Sequence, residues 1–206
     1  MKNTNESEIK TLLVRIADQL LKDQQELDEL AVQFALGKTE VSDRFEKLKT
    51  DMKLQLQEYR KRLAHIEIQV PQKVSEQLNH LEASLAKGAA VTKEKFIEQK
   101  EQIVNRLEEL RVEMDLDGRL EKSAELFTTA AEKAQLQMEL FEKQYHDKKI
   151  ELGEEFRQEM KHARDKIDDL LVQAKDVKEE IGDRMEQFND EIKIAYAHLK
   201  KAFKSL

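Results

Sequence analysis

The chain has 206 residues, and 38% of them are Asp, Glu, Lys or Arg, against about 25% in an ordinary soluble domain. One proline and five glycines are too few for the turns of a sandwich, barrel or multi-stranded sheet. The absence of cysteine excludes disulfides, thiolate metal sites and cysteine nucleophiles, and a formal net charge of −7 disfavours a surface that tracks nucleic-acid phosphates.

Residues 1–23 contain no uncharged apolar segment, and no stretch approaches the roughly 18 apolar residues of a membrane span. The expectation is a soluble, cytoplasmic helical protein. Apolar residues recur at steps of three and four almost from the start. Ile9, Leu13, Ile16, Leu20, Leu27, Ala31 and Phe34 predict a helix over 6–36. Gly37 then marks a turn, with Thr39 or Ser42 as the cap of the next helix.

A second helix is expected over 40–114, kinked at Pro71 because proline removes a backbone donor and crowds the preceding turn. Its stripe runs Val41, Phe45, Leu48, Met52, Tyr59 and Leu63, resumes at Val74, Leu78, Leu81 and Leu85, and continues through Phe96, Ile103, Leu107, Leu110 and Met114. Gly88 could mark a break, although the stripe passes through Ala89 and Thr92 in register. Asp115-Leu116-Asp117-Gly118 is the best hairpin candidate, since glycine closes helices in the left-handed conformation and aspartate favours turns and caps.

The third helix is expected over 119–204. Its stripe, from Leu120 to Leu206, advances about 3.6 residues per step once a missing step at Lys148/Lys149 is allowed. Such a narrow stripe suits a coiled-coil seam. The fold class is therefore all-α, an elongated long-helix antiparallel coiled coil or helical bundle forming one domain over 1–206. Asp23, Gln55, Gln99 and Lys148/Lys149 interrupt the stripe. Each is either a polar residue that fixes register within a seam or a side chain facing solvent at a helix end.

Charge is uneven. Basic and acidic residues balance over 1–100, the acidic excess lies in 101–191, and 192–206 carries Lys193, Lys200, Lys201 and Lys204 with no acid. In that tail Tyr196, Leu199 and Phe203 share a face opposite the lysines, giving a basic amphipathic helix suited to an anionic membrane or a partner groove. The alternative is the last turns of the same bundle, whose lysines complement the helix dipole. Arg60-Lys61-Arg62, interrupted by neighbouring acids, reads as a solvated face.

Reactive constellations are scarce. The glycines are scattered singly, so no phosphate-cradling loop is formed, and Asp115-Leu116-Asp117-Gly118 fails as a calcium loop because Arg119 and Leu120 follow. Glu159-Met160-Lys161-His162 has the Glu-x-x-His spacing of di-iron carboxylate bundles, but those require a second such motif and further inward glutamates. His162 is therefore expected to be a solvent-facing, salt-bridged side chain. His65, His80, His146 and His198 are dispersed, and no catalytic, cofactor or metal residue is expected.

The leading expectation for function is a non-enzymatic structural or interaction protein, a homo-oligomer or a partner for another coiled coil along its apolar seam. The second is a protein of lipid or membrane surfaces. In its run of amphipathic segments the chain is similar to the exchangeable apolipoproteins and, more loosely, to phasins and BAR-type modules. It departs from the first in having Pro71 alone, and from the last in being acidic outside its tail.

Overall fold

The computed structural model describes residues 2–36, 40–65, 70–115, 120–146, 150–176 and 181–206. The fold is an all-α helical bundle, and no strand occurs among the described residues. Seven helices are described: α1 (Lys2–Ala35), α2 (Val41–His65), α3 (Gln72–Leu85), α4 (Lys93–Asp115), α5 (Glu121–His146), α6 (Glu154–Asp176) and α7 (Ile181–Lys204). They form two compact units, one of residues 1–37 and 149–206, the other of residues 38–148.

Two of the three long helices expected from periodicity are thus divided. Pro71 heads α3 with φ −54° and ψ 140°, and its carbonyl accepts the first helical bond from the Ser75 amide at 3.1 Å. Proline fits there because the donor it lacks would be unpaired at a helix start. Residues 86–92 form a loop, and Thr92 caps α4, its Oγ1 accepting from the Lys95 amide at 3.3 Å. Residues 150–153 separate α5 from α6, with the Gly153 carbonyl accepting the first bond of α6 from Arg157 at 3.3 Å. Ser42 lies inside α2, whose first bond goes to the Glu40 carbonyl. The turn expected at Gly37–Thr39, most of the 115–118 hairpin and the Lys148/Lys149 pair lie outside the described residues.

The first unit packs α6 against both α1 and α7. Phe156, Met160, Ala163, Ile167, Leu170 and Ala174 of α6 are all buried, stepping by four and three, so one stripe serves two neighbours. Phe156 meets Phe203 edge-on at 6.0 Å, and Lys166 pairs with Glu191 at 3.0 Å. These contacts set α6 and α7 antiparallel. On α1, Leu13, Ile16, Leu20, Leu27 and Phe34 are buried, and each such side chain contributes about 1.5–3 kcal/mol before ordering costs. Asp23, a gap in the stripe, is also buried and accepts from Gln19 Nε2 at 2.8 Å.

The second unit is a ring of four helices, in which α2 and α4 each pack against α3 and α5. Its ends show an up-down-up-down order. Near one end Phe45 of α2 meets Phe96 of α4 at 4.9 Å, and Phe96 meets Tyr145 of α5 at 5.0 Å. Near the other, Tyr59 lies 5.6 Å from the Phe127 ring and its hydroxyl 3.6 Å from Met114 Sδ. Burial pushes the Tyr59 phenol above its ordinary range. On α5, Leu136 and Leu140 are buried as well as Ala134, Met138 and Phe141. This face is wider than a coiled-coil seam, because α5 must cover two neighbours in a ring. Gln55 is exposed beside the buried Leu56 in the middle of α2, so it faces solvent there but not at a helix end.

Candidate functional site

Because α6 and α7 run antiparallel, residues 156–163 face residues 195–203. Glu159 flanks the stripe between Phe156 and Met160 and turns toward α7, where it is buried to 5% exposure. Its Oε2 accepts from His198 Nδ1 at 2.7 Å, and its Oε1 accepts from Lys201 Nζ. An ionised carboxylate only accepts hydrogen bonds, so this contact assigns the proton of His198 to Nδ1. The bonds from His198 and Lys201 push the Glu159 carboxyl down to about 2. Reciprocally, the bond to Glu159 raises Lys201.

His162, one turn along α6, completes the cluster. Its Nδ1 lies 3.9 Å from Glu159 Oε2, beyond a hydrogen bond, and its ring meets that of His198 at 5.3 Å with an interplanar angle of 62°. One donor atom from each of Glu159, His162 and His198 falls within 4.8 Å of the others. The expected exposure of His162 is observed, its side chain being 55% accessible. Its glutamate is not at the surface, however, and His198 joins the pair from another helix. The histidines read as dispersed because 36 residues separate His162 from His198 in the chain. Only the antiparallel pairing of α6 with α7 closes that gap.

The tail residues are placed by the same packing. Tyr196, Leu199 and Phe203 are buried within the first unit. Lys193 donates to Asp190 at 3.0 Å, Lys201 holds Glu159, Lys200 is half-buried and Lys204 is exposed. The apolar face of this amphipathic helix is therefore occupied by its own bundle.

A second polar cluster was not foreseen as such, although Gln99 signalled it as a gap in the stripe. Lys49 is 2% exposed. Its ammonium donates to the carbonyls of Lys87 at 3.0 Å and Gly88 at 3.3 Å, and to Gln99 Oε1 at 2.9 Å. It also pairs with Glu46 at 2.8 Å. Gln99 Nε2 donates to the Gly88 carbonyl at 2.8 Å, and Glu46 accepts from the Ala90 amide at 3.2 Å. The cluster ties the α3–α4 loop to α2, satisfying backbone groups that the loop leaves unpaired.

Arg60 bonds Asn79 at 2.8 Å and pairs with Glu82 at 3.0 Å, while Lys61 is largely exposed. Among the described residues no helix is long and apolar enough to cross a membrane. No family model, curated protein or solved structure matches this chain.

Proposed function

We propose that this chain is a non-enzymatic structural or interaction protein that associates with further copies or with partner helices. What supports the structural part of this reading is where the apolar stripe goes, and because that stripe is spent inside the chain, association falls to the outer faces. In both units the stripe is consumed in helix–helix packing, and the buried Lys49 and Gln99 hold a loop to a helix. The chemistry of the chain is thereby directed at holding helices in place. The outer faces, rich in Glu and Lys, set which partners approach through charge complementarity. Sedimentation velocity over a wide concentration range tests the proposal. A mass rising to a multiple of 24.2 kDa supports self-association, and a monomer at every concentration overturns that half of the proposal and leaves only partner helices. A lipid surface is a partner of the 192–206 tail only if α7 releases Tyr196, Leu199 and Phe203 from the bundle. Co-sedimentation of the full chain with anionic vesicles measures that directly.

A further inference from the structure

We propose that Glu159, His162 and His198 bind a divalent transition-metal ion of the zinc class, joining α6 to α7. The donor set comes first. One carboxylate oxygen and two imidazole nitrogens suit Zn²⁺, Co²⁺, Ni²⁺ or Cu²⁺, whereas Ca²⁺ and Mg²⁺ prefer oxygen throughout. Geometry agrees. A tetrahedral ion with bonds of about 2.0–2.2 Å holds its donor atoms roughly 3.3–3.5 Å apart. The two carboxylate-to-imidazole distances bracket that spacing, with His198 Nδ1 2.7 Å and His162 Nδ1 3.9 Å from Glu159 Oε2, and the two imidazoles offer donor atoms within 4.8 Å of each other. On binding, His198 draws back from the carboxylate and His162 closes on both partners, a shift for which its accessible imidazole has room.

The supporting groups are already in place. Lys201 holds Glu159 Oε1 and leaves Oε2 directed at the two imidazoles. Fixing a ligating carboxylate through its second oxygen is how groups around a metal site orient it. On binding, His198 changes tautomer: Nδ1 gives up its proton, Nε2 takes one from solvent, and the neutral ring offers its Nδ1 lone pair to the ion. The partial exposure of both histidines leaves the fourth position to water. The ion would link residue pairs 36 to 39 positions apart in the chain, so it would stabilise the α6–α7 hairpin by mass action. This inference stands independently of the association proposed above.

The experiment uses the full chain, stripped with a chelator, titrated with Zn²⁺ by calorimetry and with Co²⁺ by visible absorption. One ion per chain is expected, with affinity falling at least about tenfold in H162Q and in H198Q and the Co²⁺ absorption of a tetrahedral site lost in both. Because His162 is accessible, H162Q keeps the fold, which circular dichroism verifies. Equal affinity in the parent and H162Q, or no binding by the parent, overturns the proposal.

Discussion

Each unit buries charged side chains among apolar ones, and Lys49 in one and Glu159 in the other have opposite consequences. In the four-helix unit Lys49 is enclosed, and its partners include two backbone carbonyls and a side-chain amide that do not titrate. In the three-helix unit Glu159 sits at the rim, with two partly accessible imidazoles and an accessible lysine around it. In the first arrangement the ammonium is sealed in, although its Glu46 partner reaches solvent. In the second, two imidazoles and an ammonium around the carboxylate are open to solvent at the bundle surface. Lys49 is therefore a structural tie and Glu159 a position within reach of solvent-facing groups, and their partners make the difference.

The apolar cores should not distinguish the units. Phe96→Ala in the four-helix unit and Phe156→Ala in the three-helix unit are each expected to cost about 3–5 kcal/mol in urea unfolding, by lost burial and a residual cavity. A much smaller loss at either site would show that its core collapses around the gap. Lys49→Met comes next. It keeps the aliphatic stem but leaves two carbonyls and Gln99 short of a donor, for a loss of about 3 kcal/mol. Retained stability would break the description of Lys49 as a tie.

Glu159→Gln should act mainly through pH. The folded carboxyl is held near 2 against an ordinary 4.5, so its contribution is complete above about pH 4.5 and disappears as pH falls toward 2. Melting temperatures of the parent should therefore decline more steeply than those of the variant between these limits and converge below them. Parallel curves would remove Glu159 from the account. The smallest effect is expected from Gly88→Ala. An added Cβ there meets nothing within 4 Å and no left-handed backbone is required, so restricting the unfolded chain should raise stability by about 0.4–1 kcal/mol. A loss would show that the loop held by Lys49 is tighter than its geometry suggests.

Periodicity carried much of this fold. Almost every stripe residue with a described side chain, from Leu13 to Phe203, is buried. The positions of several breaks were weaker signals. The stripe stays in phase across 86–92 and 150–153, so a repeat of 3.6 residues could not reveal that the backbone leaves the helix there, and Gly88 was the single hint at the first of these breaks. Pro71 was legible because its chemistry is local. Thr92 and Gly153 were not, because a cap is recognised only once the loop before it is known. The candidate site was half legible: Glu159 and His162 share a helix at a readable spacing, whereas His198 and Lys201 arrive from α7. Lys49 gave no signal at all, since a lysine beside a stripe ordinarily lets its head reach water.

Side-chain spacing along the chain decided that this protein is helical and which face of each helix is hidden, because both follow from neighbours three and four residues apart. Which helices pair, where long stripes are cut into shorter helices, and which charged groups are sealed in or left at a rim depend on residues far apart in the chain. Those choices belong to packing, where a carboxylate and two imidazoles meet only after two helices have folded back on each other.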